Sequence, residues 1–476
     1  MIFSSLTFVC IFLPVVFLLY CIMPSLRLKN AWLILASLFF YAYGEPVYVL
    51  LMLFSTVLNY FGARLVEKGT PGKRKAVLAL NIVINLGMLC VFKYSGFIVE
   101  SINSAFNTDI HVPDIRLPIG ISFFTFQALS YVIDVYMQRV EVQKNIFRVL
   151  LYISFFPQLI AGPIVKYRDI NEAINDRKQD VEAVARGFRR FTCGLAKKVL
   201  IANTVGQVAD VIFTADAGSL NVVTAWIGAI AYMLQIYYDF SGYSDMAIGL
   251  GQMFGFNIKE NFRYPYGASC MQDFWRRWHI SLSTWFKEYL YIPLGGNRRG
   301  KARTALNRLI VFFCTGLWHG ASWTFVIWGL YHGFFLILEE YIPFVRKLPK
   351  LITRIYTLIV VCVGFVIFRS DDMGQAINVI TQMFTGFNLN PQAMSLGVQM
   401  LTPFFMVILV AAIIGAAPIS SVADKIRDNI MDDTKEVSKK WVAVDIILYV
   451  MSVILLSWCV LRLSGSSYNP FIYFRF

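Results

Sequence analysis

The residues best suited to proton transfer are two histidines in one long uncharged stretch. The stretch runs from Leu309 to Leu338, thirty residues, and contains His319 and His332, two of the four histidines in the chain. An imidazole exchanges protons near neutral pH, so it can act as a general base. If Arg308 marks a membrane interface, His319 lies about 16 Å further along a helix, near the middle of a bilayer. A histidine at that depth indicates a functional site, unless packed helices simply satisfy its hydrogen bonds.

The composition indicates a polytopic membrane protein. Of 476 residues, 57% are hydrophobic and only 15% are charged, whereas soluble domains carry about 25% charged residues. The net charge is +14, but the basic residues lie in short loops between apolar runs. In such loops they set topology and contact anionic lipid, so we expect no nucleic-acid partner. The eight cysteines contain no CxxC pair, and we predict neither a disulfide framework nor a metal site.

The apolar runs predict an all-α fold of about ten to twelve transmembrane and re-entrant helices. Residues 30–63 predict a helical hairpin that breaks at Gly44-Glu-Pro46. Residues 147–165 are apolar, yet basic loops flank them on both sides. A re-entrant segment, broken at Pro157 and Gly162-Pro163 and lining a cavity, would reconcile these features. A single kinked crossing is the alternative.

Residues 273–289 predict an amphipathic helix at the membrane interface. At 100° per residue, the aromatic side chains fall on one arc about 120° wide, and the charged side chains fall elsewhere. Tryptophan suits headgroup depth. His279 lies at the edge of this arc, where it either faces the mouth of a cavity or is incidental to a surface helix. The basic, glycine-rich segment 291–303 lacks the spacing of a phosphate-binding loop and is typical of a cytoplasmic loop. A second role for this loop would be to attract a CoA-bearing donor.

Three segments, in their order and spacing, resemble the membrane-bound O-acyltransferase family across nearly the whole chain. They are FFPQLIAGPIVKY at 155–167, DFWRRWHISLSTWFKEYLYIPLGGNRRG at 273–300 and GLWHGASWTFVIWGLYHG at 316–333. The resemblance is to the bacterial branch of alginate O-acetylation and, further off, to teichoic-acid D-alanylation. It implies tilted and re-entrant helices ringed around a thin core with a central tunnel.

The resemblance also implies an active site. The family's catalytic histidine corresponds to His319 in LWHG, and a second family position, histidine or asparagine, corresponds to His279 in WHISLS. His332 receives no role. Acyl transfer from a thioester to a hydroxyl needs a base for the hydroxyl proton, and burial favours the neutral, basic imidazole. No bound cofactor or metal is implied. The donor would be acetyl-CoA or another acyl thioester, and the residues that bind it remain unidentified.

The chain is expected to divide into a membrane domain, 1–465, and an aromatic tail, 466–476. The tail resembles a C-terminal aromatic motif of bacterial envelope acylation systems, whose tyrosine takes up the acyl group. By position that residue is Tyr473. A tyrosine can act as a covalent nucleophile when a base activates it. We expect the tail on the external side, where it could enter the tunnel and meet His319. Alternatively, it is an anchor at headgroup depth.

These features together favour an enzyme. An acyl group, most simply acetyl, would pass from a cytoplasmic thioester to Tyr473 with His319 and His279 at the site. An extracellular or membrane-anchored acyltransferase or esterase-like partner would then O-acylate an envelope polysaccharide or cell-wall polymer. The expected location is the bacterial cytoplasmic (inner) membrane. One alternative is a lipid or polymer transporter without acyl chemistry, although the chain lacks the paired repeats of many transporters. Another is a scaffold for a separate soluble acyltransferase.

Overall fold

The secondary structure that the computed structural model describes is helical. The description covers residues 1–342, 348–388, 391–417, 439–466 and 468–472, and it includes no β-strand. Four helices in these ranges are long and apolar enough to cross a membrane. A fifth crossing results if Met394–Met400 and Pro403–Gly415, bent by 73°, count as one span. These helices confirm an all-α polytopic membrane protein, while the central tunnel remains a prediction.

Within the described residues, the first part of the chain forms nine helices, and the predicted break at Gly44-Glu-Pro46 lies between two of them. The helices are α1 (Leu13–Ile22), α2 (Leu26–Ala42), α3 (Val49–Lys68), α4 (Pro71–Leu89), α5 (Ser95–Phe106), α6 (Ile121–Tyr136), α7 (Ile146–Ser154), α8 (Phe156–Leu159) and α9 (Tyr167–Asn175), with π-helical turns at Phe8–Phe12 and Cys90–Tyr94. The break at Gly44-Glu-Pro46 is confirmed, because α2 ends at Ala42 and α3 begins at Val49.

The segment 147–165 is broken, as the prolines and glycine predict. Helix α7 has 9 residues and α8 has 4, so α7 spans only about 13 Å. Non-helical chain follows, and residues 149–165 are buried. A single kinked helix across the membrane, the alternative interpretation, does not form. The irregular backbone is surrounded by protein, which is the condition under which such backbone is tolerated at membrane depth.

The remaining helices include the longest one, which packs against the C-terminal part of the chain. They are α10 (Val181–Ala196), α11 (Asn203–Phe213), α12 (Val222–Met253), α13 (Met271–Arg277), α14 (Ile280–Phe286), α15 (Lys301–His319), α16 (Trp323–Tyr341), α17 (Lys350–Arg369), α18 (Met373–Thr385), α19 (Pro391–Met400), α20 (Pro403–Gly415) and α21 (Lys439–Gly465), with π-helical turns at Lys197–Ala202 and Lys287–Tyr291. Helix α12 has 32 residues and most of them are buried.

The uncharged stretch that contains His319 is an antiparallel hairpin of α15 and α16. Glycine allows the two backbones to approach closely. A Cβ atom on Gly316 would lie 2.3 Å from the carbonyl oxygen of Phe325, and one on Gly329 would lie 2.2 Å from that of Phe312. Small residues at helix contacts are the usual route to close packing in membranes. The hairpin therefore fixes His319 at the turn between two tightly joined helices.

Candidate active site

His319 is the last residue of α15 and is 6% exposed. Its ring packs edge-on against the rings of Trp328 and Phe368, with centroid distances of 5.1 and 5.2 Å. The helix ends here because Gly320 adopts an extended backbone, and the Ser322 side chain then caps α16 by accepting from the Thr324 amide. The sequence thus places the imidazole at a helix end inside an aromatic wall.

Two consecutive residues hold the carbonyl end of the helix that bears His319. Lys93 Nζ donates to the carbonyl oxygens of Trp318, at 2.6 Å, and of His319, at 3.3 Å. Tyr94 Oη donates to the carbonyl oxygen of Leu317 at 2.6 Å. The last carbonyls of a helix have no partner within the helix and carry its negative dipole end, so a cation is favourable there. Lys93 and Tyr94 therefore fix the position of His319.

The aromatic segment 273–289 differs from the predicted interfacial helix. It forms two helices, α13 and α14, which are separated at Trp278 and His279. Its aromatic residues pack into the core, since Phe274, Trp278 and Phe286 are at most 4% exposed. The prediction of a membrane-surface helix is therefore wrong, because rings of α6, α15, α16 and α17 cover the apolar arc and lipid headgroups do not. Periodicity alone cannot distinguish these two kinds of apolar surroundings.

His279 lies at the break and is fully buried, so it does not face an open cavity mouth. Its φ angle is +45°, in the left-handed region that residues other than glycine rarely adopt. Such outliers concentrate at functional sites. Asn261 holds the break in place: its carbonyl oxygen accepts from the Ile280 amide at 2.9 Å and its side-chain oxygen accepts from the Ser281 amide at 3.0 Å. That side-chain oxygen also lies 3.4 Å from His279 Nδ1.

The structure brings two of the three predicted site residues together. The rings of His279 and His319 lie 6.2 Å apart between centroids, and the ring of Trp318 lies within 6 Å of both. His332 is buried as well, but it packs against Trp275 and Trp328. The third predicted residue, Tyr473, lies outside the described residues.

Three cavities lie along the hairpin. The basic cavity, about 430 Å³, is lined by Arg276, Lys287 and Arg308 among others. The histidine cavity, about 300 Å³, lies at the other end of α15 and is lined by residues that include Lys93 and His319. The aromatic cavity, about 10 Å³, is lined by Ile236, Phe240, Trp278, His319, Trp328, Phe365, Phe368 and Ile472. His319 thus lines two of the three cavities.

The predicted cavity-lining role of segment 147–165 is confirmed at Ile160. This residue lines the histidine cavity beside Trp318 and His319. The same segment is tied to the aromatic segment, because Ser281 Oγ accepts from the Ile164 amide at 3.0 Å. The broken chain therefore forms part of the wall around His319.

A charged cluster joins the chain after α8 to the turn Lys287–Tyr291. Lys166 Nζ lies 2.9 Å from the Glu288 carboxylate, and Arg168 also binds that carboxylate. Burial alone would raise the pKa of Glu288, but the hydrogen bonds and charges of Lys166 and Arg168 outweigh burial and lower it. Glu288 therefore stays ionised at neutral pH and holds the two segments together.

Five residues of the C-terminal segment reach into this site. Tyr468, Asn469 and Pro470 are partly buried, whereas Phe471 and Ile472 are only 3% and 4% exposed. Burial therefore increases along the segment, and Ile472 lines the aromatic cavity that His319 also lines. Tyr473 follows Ile472 directly in the sequence.

Several residues of the site were not identified from the sequence. Lys93 has a weak signal, a single lysine within an apolar run, whereas Asn261 belongs to no recognisable pattern. Lys198, whose Nζ lies 2.8 Å from Asp239 Oδ1 in α12, is one of several basic residues in its segment, and its burial depends on long-range packing. Among the described residues, no group of three or more histidine, cysteine, aspartate or glutamate side chains could hold a metal ion.

The chain belongs to the membrane-bound O-acyltransferase family, whose model matches residues 122–370. The probable alginate O-acetylase AlgI of Azotobacter vinelandii is 38% identical over 504 aligned positions, which cover 100% of both chains. A peptidoglycan O-acetyltransferase of Helicobacter pylori is also 38% identical, over 80% of each chain. The teichoic acid D-alanyltransferase of Bacillus subtilis is 27% identical over 52% of this chain and 68% of its own.

The family and these relatives identify the protein as a multi-pass membrane O-acyltransferase. The recognition made from the three sequence segments is thereby confirmed, and so is the expectation of an enzyme. The transporter and scaffold alternatives are set aside, because the relatives are named as enzymes that transfer acetyl or D-alanyl groups.

Proposed function

We propose that the protein carries an acyl group, most simply acetyl, across the membrane through Tyr473. A thioester donor, acetyl-CoA or another acyl thioester, delivers the group from the cytoplasmic side. An extracellular or membrane-anchored acyltransferase or esterase-like partner then transfers it to a hydroxyl of an envelope polysaccharide or cell-wall polymer. The proposed location is the bacterial cytoplasmic (inner) membrane, where exposed basic residues such as Arg298 and Arg299 contact anionic lipid.

The observation that carries the proposal is the course of the C-terminal segment. An anchor at headgroup depth would leave its apolar side chains among lipid, whereas Phe471 and Ile472 are buried in the protein. Ile472 lines the same cavity as His319, and Tyr473 is the next residue. This arrangement favours the acyl-carrier interpretation of the tail over the anchor interpretation.

The proposed chemistry assigns a proton path to His319. The imidazole takes the proton of the Tyr473 hydroxyl while the phenolic oxygen forms a bond to the thioester carbonyl carbon. Collapse of the tetrahedral intermediate breaks the carbon–sulfur bond, and the proton goes to the leaving thiolate. The product is an acyl-tyrosine ester and a free thiol. His279, whose ring lies 6.2 Å from that of His319, adds a second polar side chain among the aromatic rings that surround His319.

Intact mass analysis of the C-terminal peptide tests this proposal. We expect the wild-type protein, incubated with acetyl-CoA, to carry an acetyl mass on Tyr473. His319→Ala should reduce the adduct by about 100-fold or more, the scale of a lost general base. Tyr473→Phe should carry no acyl adduct, because it lacks the accepting hydroxyl. A different acyl mass after incubation with another thioester would keep the mechanism and change the substrate.

His332→Ala is the matched control, because it removes a second buried histidine from the same hairpin. His332 packs against Trp275 and Trp328 and does not line the aromatic cavity, so the adduct should persist in folded protein. An unmodified Tyr473 in the wild type, together with full polymer acylation by Tyr473→Phe, would contradict the carrier step. Full activity of folded His319→Ala would contradict the catalytic role of His319.

A further inference from the structure

A buried ion pair holds the C-terminal segment inside the protein. Lys198 Nζ lies 2.8 Å from Asp239 Oδ1, and the two side chains are 3% and 1% exposed. Each partner also binds the backbone of the segment. The Ile472 amide donates to Asp239 Oδ2 at 2.8 Å, and Lys198 Nζ donates to the Pro470 carbonyl oxygen. The pair therefore acts on two backbone groups that are two residues apart.

The position of Asp239 connects this ion pair to the catalytic centre. Asp239 lies in α12 between Ile236 and Phe240, both of which line the aromatic cavity with His319 and Ile472. A buried charge pair is costly to desolvate, and replacement by apolar residues is often neutral or stabilising. Stability alone therefore gives no strong reason for charges at this position, whereas precise placement of a backbone does.

We propose that the Lys198–Asp239 pair is a latch that holds residues 470–472 and presents the residue after Ile472 to His319. The inference rests on the proposed function, because that residue is Tyr473. The latch fixes the backbone on both sides of Phe471, whose ring packs 4.9 Å from that of Tyr243. A held segment raises the effective concentration of the acceptor hydroxyl at the base, as linked reactants do in general. Lys198 and Asp239 are thus positioning residues.

Trimming of the full-length protein by a carboxypeptidase measures the latch without any acyl chemistry. When opening is fast, proteolysis follows the population of the open form. We expect the wild type to retain residues 470–472 during digestion, because the latch binds their backbone. Lys198→Met and Asp239→Asn should each raise the rate at which the carboxypeptidase removes residues 470–472. The expected increase is about 10- to 100-fold, the range set by hydrogen bonds to charged groups.

The chain offers a matched control in the neighbouring residue. Lys197 begins the same π-helical turn and pairs with Asp245 of α12 at 2.6 Å. Among the described residues, Lys197 forms no hydrogen bond or ion pair with the segment 468–472. Lys197→Met should therefore leave trimming at the wild-type rate, and Lys198→Arg, which keeps the cation, should restore most of the protection.

Acyl loading of Tyr473 provides the second measurement. In Asp239→Asn the rate of loading at saturating acetyl-CoA should fall by about 10- to 100-fold. The half-saturating donor concentration should stay unchanged, because we expect the cations of the basic cavity to attract the phosphates of acetyl-CoA, and neither latch residue lines that cavity. A purely structural defect would instead lower the amount of folded protein and leave the turnover of the remainder unchanged.

A double variant covers the case in which a single substitution leaves an unpaired buried charge and prevents folding. Lys198→Met with Asp239→Leu removes both charges together, which buried pairs often tolerate. It should fold, expose the segment and load slowly. Wild-type trimming in the double variant, or rapid trimming with wild-type loading, would overturn the proposal.

The two proposals fail in different ways. If wild-type Tyr473 carries no adduct and Tyr473→Phe acylates the polymer fully, the carrier step fails, and the presentation role of the latch fails with it. Trimming would still decide whether Lys198 and Asp239 hold the segment. If the adduct forms in the wild type, but substitution of Lys198 or Asp239 changes neither the rate of trimming nor the rate of loading, only the latch is overturned.

Discussion

Lys93 places its side-chain amine against the end of the helix that bears His319. Its two hydrogen bonds to main-chain oxygens act on the position of the imidazole. It also lines the histidine cavity with His319. At this scale, the site consists of a few polar groups that hold backbone: Lys93 at the helix end, Asn261 at the break beside His279, and Asp239 at Ile472.

We expect Lys93→Met to slow acyl loading of Tyr473 by about 10- to 100-fold, the range of a lost hydrogen bond to a charged donor. The cause is a displaced helix end, so the donor concentration for half-saturation should change little. The control is Arg116→Gln, which removes a cation from the same cavity. Arg116 pairs with Glu45 and not with α15. Equal losses in both variants would contradict a positioning role for Lys93.

The sequence predicts the two histidines but not their supports. LWHG and WHISLS identify His319 and His279 because the motifs are long and specific. Lys93, Asn261 and Lys198 come from distant parts of the chain, and their role depends on which carbonyl or carboxylate each one meets. Such contacts are set by the packing of whole helices, so no local pattern contains them.

At the scale of the elements, predictions from breaker residues are confirmed and predictions from periodicity alone are not. Gly44-Glu-Pro46 and the segment with Pro157 and Gly162 break where expected, because proline restricts the backbone and glycine makes it more permissive, so both act on the chain locally. By periodicity, the sequence of the aromatic segment 273–289 fits one amphipathic helix. The structure instead turns it sharply at His279, with Asn261 bonded to the residues that follow.

The close contact between α15 and α16 gives a prediction for Gly316→Ala. The added methyl group would meet the Phe325 carbonyl oxygen, a backbone atom that cannot turn away. Overpacking of this kind costs about 1–3 kcal/mol, and it should displace His319 three residues further along. We expect a lower midpoint of thermal unfolding together with slower acyl loading.

Gly87→Ala is the comparison for this substitution. Gly87 lies in α4, and a Cβ atom there would meet no atom within 4 Å. Alanine is favoured over glycine inside a helix by about 1 kcal/mol, so this variant should be as stable as the wild type or more so. A Gly316→Ala protein that matches the wild type in both stability and loading would refute tight hairpin packing as the support of His319.

At the scale of the whole molecule, the basic cavity and the histidine cavity are separate spaces along α15. The basic cavity is lined by Arg308 near the start of α15, and the histidine cavity lies at the end of that helix. Their lining residues come from different parts of the chain, which suits two different reactants. Family membership and the all-α class follow from the sequence, whereas the separation of these spaces requires the packed helices.

Sealed vesicles test this polarity. Basic loops mark the cytoplasmic face, and the cations of the basic cavity attract a phosphorylated donor. A membrane-impermeant acetyl-CoA should therefore load Tyr473 in inverted inner-membrane vesicles and not in right-side-out vesicles. Detergent should restore loading in the latter. Equal loading in both intact preparations would contradict the proposed direction of transfer.

The smallest cavity has a consequence for the energy balance of the cell. At about 10 Å³, the aromatic cavity has room for about one water molecule. A hydrated ion cannot pass such a space without losing its water shell, and that loss is prohibitive between aromatic rings. Under the proposed mechanism, the acyl group is transferred covalently at His319, so acyl export needs no open passage for ions. The proposal therefore predicts that acyl transfer leaves the ion gradients across the membrane intact.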